Sequence, residues 1–281
     1  MGNAVTGLRQ HRNSCFIASG LQVLGKIPGF LLVLLGPLGG IKKGPVPAVV
    51  DVFQDMWQYG VPEADASREA VDLRRVRAAL GWTSGSEEDA AEFLHSLLCR
   101  LQAHLTARGM AFTSNATGSY ETESIARGAL GDSPIVQLFG FVGRSCVTCS
   151  KCGCVHEQFE PQNMWTVDVP PGSASISLHE LMTSERELCG NNRYECPTCK
   201  RKVDAVKTQA IVTPPGEVLL VRLNRLDKTG PRVRKITRNV VVEDGVLEVC
   251  GRRYKLVSTA SHHGNYTRNG NHYTSRGLHP S

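Results

Sequence analysis

The sequence predicts an α+β protein, on three observations. Apolar residues recur at three- and four-residue steps through the first ~125 residues, the period of helices packed on one face. Beyond Ile135, runs rich in β-branched residues dominate. Between them, Arg108 to Ser133 is polar, rich in Gly and Ser and without period, and reads as a flexible connection. Helices first and strands later is the order of α+β architectures.

The elements follow in order. In the run QHRNSCFIASGLQVL, Gln10 to Leu24, Asn13 and Ser14 are good caps, and Phe16, Ile17, Leu21 and Leu24 fall at helical spacing. That places Cys15 in the first turn of an inward-facing helix, where the dipole and free amides favour a thiolate. A catalytic thiolate needs a base, and the well-marked candidate is His272, in NGNHYTSRG. A Gly- and Pro-rich stretch, Gly36 to Pro47, precedes a short helix over Asp51 to Tyr59. Ala66 to Leu80 follows, with Val71, Val76 and Leu80 roughly on one side. The best-marked helix opens at Ser86, with Glu87, Glu88 and Asp89 in its first turn. Ala90, Phe93, Leu94, Leu97, Leu98, Leu101 and Leu105 form its apolar stripe, with Cys99 beside it. The predicted strands are Ile135 to Val142, Trp165 to Val169, Ala210 to Val212, Val218 to Leu223, Val240 to Val242, Val246 to Cys250 and Tyr254 to Thr259.

With 281 residues the chain can bury a core without covalent staples, as one large domain or two small ones. No apolar run approaches the ~18 residues of a membrane span; the best, Phe30 to Gly36, is bounded by Pro28 and Pro37. No cationic-then-apolar leader is found, so a cytoplasmic or nuclear location is expected, where the sequons at Asn115 and Asn265 stay unmodified. Met1-Gly2-Asn3-Ala4-Val5-Thr6 fits the loose N-myristoylation pattern. The formal charge of +6 is mild, and the basic groups at Lys200-Arg201-Lys202 and Arg232 to Arg238 read as a solvated face.

Ten cysteines are present, several in pairs separated by two residues, which without a leader suggests metal rather than disulfides. The run CVTCSKCGC holds Cys146, Cys149, Cys152 and Cys154, so its register is ambiguous. Cys149 and Cys152 are preferred, because Gly153 lets a metal knuckle turn tightly. Cys146 with Cys149 is the alternative. The second pair is Cys196 and Cys199, with Pro197 preorganising the turn. Four thiolates satisfy a tetrahedral Zn²⁺ with no open position, a structural site. The long interval between the pairs implies an insertion between two hairpins.

Five segments, in order, resemble the ubiquitin-specific proteases. TGLRQHRNSCFIASGLQVL resembles the nucleophile box, and SGSEEDAAEFLHSLL a second helical box. RSCVTCSKCGCVHEQFEP and NNRYECPTCKRKVDAVKTQAIVTPPGEVLLVRLNRL resemble two zinc-bearing finger segments with the strand after them. YKLVSTASHHGNYTRNGNHYTSR resembles the histidine box. The resemblance implies a papain-like cysteine protease fold as one catalytic domain over residues 6–281. A helical thumb would take about 6–130, zinc-bearing antiparallel fingers about 137–165 and 186–215, and a palm the remaining C-terminal part. It implies hydrolysis of peptide or isopeptide bonds after the C-terminal glycine of ubiquitin, by a monomer acting on ubiquitin and ubiquitinated proteins.

Residue by residue, the resemblance makes Cys15 the nucleophile and His272 the general base. Gln10 stands where the family has an oxyanion-stabilising Asn, and Asp89 and Glu92 match positions facing ubiquitin's basic tail. The chain departs from the family at Arg12, usually Gly, at Ala18, usually Asn, and at Ala91, usually His. No Asp or Asn matching the third triad member is found before Ser281, so His272 is expected to lack an orienting partner. A second reading is therefore an impaired relative that binds ubiquitin or a partner. A third, a basic zinc ribbon binding nucleic acid, is disfavoured because few aromatics interleave with the basic clusters.

Overall fold

The computed structural model describes residues 7–11, 13–57, 70–82, 88–105, 119–227, 233–264 and 271–278. The myristoylation pattern, Arg12, Ser86, Glu87 and the asparagines of both sequons lie outside the described residues. The chain divides into two compact units: Met1–Ala111 with Ser133–Ile135 and Val257–Ser281, and Phe112–Asp132 with Val136–Leu256.

The first unit is built on helices. In order come β1 (Leu8–Arg9), α1 (Cys15–Leu24), α2 (Pro28–Leu35), α3 (Val46–Trp57), β2 (Val71–Asp72), α4 (Arg74–Ala79) and α5 (Ala90–Leu105). Helix α1 packs on α5. Phe16, Ile17, Leu21 and Leu24 of the first meet the stripe of Phe93, Leu97, Leu98 and Leu101 of the second, all essentially solvent-free. Burying each such side chain contributes about 1.5–3 kcal/mol. The approach is close at Gly20, where an added Cβ would lie 2.8 Å from Phe93 Cδ1. We therefore expect Gly20→Ala to cost about 1–3 kcal/mol through overpacking, read as a shift in the denaturation midpoint. An unchanged midpoint would mean that the helices are not this tightly seated. Among the described residues no single helix is long and apolar enough to cross a membrane.

Two predicted boundaries move. Helix α3 starts earlier than Asp51, because Pro47 is tolerated in a first turn. Val71 is not helical: its N–H bonds the Gly7 carbonyl, and β2 pairs in parallel with β1. Asp72 then starts α4 by accepting the Arg74 amide. The α4 period is genuine but spans only Arg74–Ala79.

The second unit opens with α6 (Glu123–Leu130), where the sequence reads as a featureless connection. Thr122 caps it through the Ile125 amide, Glu123 pairs with Arg127, and Ala126 is buried. A helix with so short an apolar face leaves almost no periodic signal. The predicted strand from Ile135 is also corrected. Its first half lies in α7 (Pro134–Phe139), whose β-branched residues are buried helical ones, and the strand begins at β3 (Phe141–Cys149).

The remaining elements are β4 (Val155–Gln162), β5 (Trp165–Asp168), β6 (Ile176–Ser177), α8 (Leu178–Met182), β7 (Arg186–Leu188), β8 (Tyr194–Cys196), β9 (Arg201–Val203), β10 (Ala205–Ile211), β11 (Val221–Asn224), β12 (Leu226–Asp227), β13 (Arg234–Lys235), β14 (Val240–Val241), β15 (Val246–Val249) and β16 (Arg252–Lys255). An antiparallel sheet runs β4-β3-β10-β7. Its base meets a core of Phe141, Trp165, Val167, Val169, Ile176, Leu178, Leu181, Ile236 and Leu247. At its far end the buried cluster shrinks to Cys149, Cys196 and Val203, with Tyr194 and Cys199 against it. The predicted strand Tyr254 to Thr259 is two strands broken at Leu256 and Val257. The later one, β17 (Ser258–His263), forms an antiparallel ribbon with β18 (His272–Gly277) in the first unit.

Candidate active site and metal centre

Cys15 is the first residue of α1 and is buried, at 6 % exposure. The first intrahelical bond runs from the Ala18 amide to the Ser14 carbonyl. The amides of Cys15 and Phe16 therefore have no intrahelical acceptor, and they add to the positive end of the dipole beside the thiol. Ser14, fully buried, does not cap the helix; its hydroxyl accepts the His11 amide at 3.0 Å.

Strand β18 packs on α1, and two contacts fix the register. Ser275 Oγ donates to Gln22 Oε1 at 2.5 Å. At Gly277 a Cβ would lie 2.7 Å from Lys26 Cε, so only glycine fits without displacing that lysine. The two elements thus run in the same direction. From Gln22 back to Cys15, at ~1.5 Å per residue, is about 10 Å; from Ser275 back to His272, at ~3.3 Å per residue, is also about 10 Å. His272 and Cys15 are thus the first residues of two elements that pack on one another. His272 opens β18 on the exposed pleat face with Thr274 and Arg276, opposite half-buried Tyr273 and Ser275, the face that bonds Asp89 and Gln22. Its cross-strand partner is His263, whose Nε2 lies 2.9 Å from Thr274 Oγ1. Among the described residues no hydrogen bond joins Cys15 to His272.

Asp89 is more than a first-turn charge. Its Oδ1 accepts the amides of Ala91 and Glu92, at 2.9 and 3.0 Å, which makes it the N-cap of α5. Its other oxygen accepts the Tyr273 hydroxyl at 3.4 Å. One carboxylate thus ties the residue next to His272 to the helix behind Cys15. Asp89→Ala should cost about 1 kcal/mol of stability, measured by denaturation, and Asp89→Asn, which keeps an accepting oxygen, much less. Equal losses would show that the cap is not what Asp89 contributes. Glu92 is exposed in the first turn of α5, and Gln10 is exposed just after β1. Tyr273, Gln22 and Ser275, which set the register, carry no spacing signal of their own.

The sulfurs of Cys149, Cys152, Cys196 and Cys199 all lie within 4.8 Å of one another, so these residues could hold a metal ion. Cys149 to Cys199 is 3.9 Å and Cys152 to Cys196 is 3.7 Å. A tetrahedron with Zn–S bonds of ~2.3 Å has edges of ~3.8 Å. Amides of Lys151 and Cys152 reach the Cys149 sulfur, and the Cys199 amide reaches Cys196, each at 3.4 Å. Gly153 turns the first knuckle with φ +70°. Cys146 does not join them: it lies within β3, and its thiol donates to Glu157 at 3.2 Å. Burial and that carboxylate push the Cys146 thiol up. Bonding to Cys152, with burial and the other sulfurs, raises Cys199 to about 12. Cys149 is shifted the other way: the Cys152 amide and bonds from the neighbouring thiols lower it, so one thiolate is favoured while Cys199 stays protonated, and a bound dication would let all four ionise. The donor set fits zinc, which would fasten a finger tip whose apolar core is too small to hold itself.

A family model described as ubiquitin carboxyl-terminal hydrolase matches residues 6–280. The chain is 27% identical over 276 residues to ubiquitin carboxyl-terminal hydrolase 21 of Rattus norvegicus, covering 84% of this chain and 48% of that protein. It is 25% identical over 300 residues to ubiquitin carboxyl-terminal hydrolase 2 of Bos taurus, covering 96% and 48%. The chain thus spans about half the length of these curated relatives. A solved structure of the SAGA Ubp8/Sgf11/Sus1/Sgf73 DUB module bound to ubiquitin aldehyde superposes with a TM-score of 0.63 at 18% identity, covering 97% of this chain and 62% of that one. That likeness shows the fold: mixed helix and sheet of the ubiquitin-specific protease type, with an antiparallel sheet and short parallel pairs such as β5 with β11.

Proposed function

The chain belongs to the ubiquitin carboxyl-terminal hydrolase family, and we propose on that premise that it hydrolyses the peptide or isopeptide bond after the C-terminal glycine of ubiquitin. The observation that supports this reading is the packing of β18 on α1, registered by the Ser275–Gln22 hydrogen bond, with His272 and Cys15 the first residues of those two elements.

In the proposed reaction His272 takes the Cys15 proton and the thiolate attacks the glycine carbonyl. The oxyanion is met by the Cys15 amide and the Gln10 side-chain amide. The tetrahedral adduct collapses to a thioester as His272 returns the proton to the leaving lysine amine. Water, deprotonated by His272, then attacks the thioester carbonyl, and Cys15 leaves with the proton restored. Glu92, exposed on α5, is the proposed contact for the basic tail of ubiquitin; Asp89 joins it with the carboxylate oxygen that faces Tyr273. Zinc on the four clustered cysteines is structural, because four protein thiolates leave it no open position.

Release of a fluorophore from a ubiquitin C-terminal amide tests the activity, and well-folded protein that releases none would refute it. The alternative, a ubiquitin-binding relative with impaired chemistry, draws on one observation. Among the described residues no side chain hydrogen-bonds the His272 ring to fix its tautomer. Saturable ubiquitin binding without turnover is the result that would favour it.

A further inference from the structure

The segment between β1 and α1 carries Gln10 and leads into Cys15, whose amide is the other proposed oxyanion donor, and it is fastened from one side. His11 follows Gln10 directly. Its Nε2 is buried from solvent and lies 3.3 Å from Asp72 Oδ1. That is ion-pair distance, and among the described residues this nitrogen makes no aligned hydrogen bond, so Asp72 is the charge it faces. Asp72 is locked in turn: Arg74 gives it the backbone amide at 2.8 Å and the guanidinium Nε at 2.6 Å. Those bonds hold its carboxyl at about 2, so it is a fixed negative charge at neutral pH. The His11 carbonyl accepts Arg77 Nη1 at 3.3 Å, while Arg77 Nε donates to the Trp82 carbonyl at 2.6 Å. The Trp82 ring meets Phe16, the residue after Cys15, with centroids 5.4 Å apart. His11 and Phe16 are thus held at three points by one short stretch, Asp72 to Trp82, and two of those points are polar and partly shielded.

We propose that His11, paired with Asp72 and backed by Arg77, is a positioning residue that sets the place of the Gln10 side chain and the Cys15 amide. The proposal rests on the hydrolase reading above. His11 touches no reacting atom. Its loss lets the donors drift from the point where the oxyanion forms, which slows acylation and leaves ubiquitin binding, on other surfaces, unaltered.

The test compares wild type with His11→Ala, His11→Gln and Asp72→Ala on a fluorogenic ubiquitin C-terminal amide, with melting temperatures alongside. His11→Ala and Asp72→Ala are each expected to lower kcat about 10- to 100-fold, the usual effect of removing a group that orients a reacting one. KM should stay within about 2-fold, the mark of an interaction realised only in the transition state. His11→Gln, whose amide nitrogen takes the place of Nε2, should recover most of the loss. A change confined to KM, an unaltered kcat, or a kcat loss that merely follows melting temperature with no recovery in His11→Gln overturns the proposal. Should wild type itself prove inactive, the hydrolase reading fails first, and amide hydrogen exchange decides the clasp. Residues 13–16 should then exchange at least about 10-fold faster in His11→Ala, with α5 unchanged, because local opening is set by local contacts. Unchanged exchange refutes the clasp.

Discussion

Replacing Cys15 by alanine is expected to lower turnover of a ubiquitin C-terminal amide by about 10⁴-fold or more, the scale seen when a covalent nucleophile is removed. The fold should survive, because the thiol fills little volume at the start of a helix seated by Phe16, Ile17, Leu21 and Leu24. His272→Ala should cost nearly as much, and the double variant little more than either, since nucleophile and base act as a unit. The check is kcat for the three variants with circular dichroism to establish folding. A Cys15→Ala protein that keeps more than about a hundredth of the rate would place the nucleophile elsewhere.

Metal removal is expected to have the second large effect. Elemental analysis should find one zinc per chain, lost in Cys196→Ser and retained in Cys146→Ser, whose thiol bonds Glu157 outside the cluster. Losing the ion should cost several kcal/mol, or about 10 °C in melting temperature for a chain this size. The physical reason is local: the buried cluster around Cys149, Cys196 and Val203 has little apolar area to offset the entropy of ordering the hairpins. Zinc retained by Cys196→Ser, or lost by Cys146→Ser, would contradict this ligand set.

How legible each part was in sequence follows from how local its cause is. Helices α1 and α5 announce themselves because one face of each is buried along its whole length, so the period survives in the residues. The candidate metal knuckles are equally local: paired cysteines, a turn and, in the first, a glycine. Strand β4 gives no signal, because its residues are exposed or half-buried throughout and it is held by ladder bonds to β3. Helix α7 was misleading in the opposite sense, since Ile135 and Val136 are buried whichever way the backbone turns. Cys15 is marked in sequence by its place in the first turn of an apolar helix and His272 by its position near the other end of the chain, while their roles come from the family resemblance. Spacing could not predict the register between their elements, which depends on Ser275 meeting Gln22. The pairing of His11 with Asp72 was likewise invisible, because it arises only when two very short strands meet in parallel.

The central claim is that a helix-terminal thiol and the imidazole opening β18 form one catalytic site. It is tested most directly by incubating the folded protein with ubiquitin bearing an electrophilic C-terminus and mapping the adduct by mass spectrometry. The account predicts a single ubiquitin added, on Cys15, with labelling strongly slowed in His272→Ala. Folded, metal-loaded protein that stays unlabelled, or that carries the adduct on another cysteine such as Cys99, would contradict it.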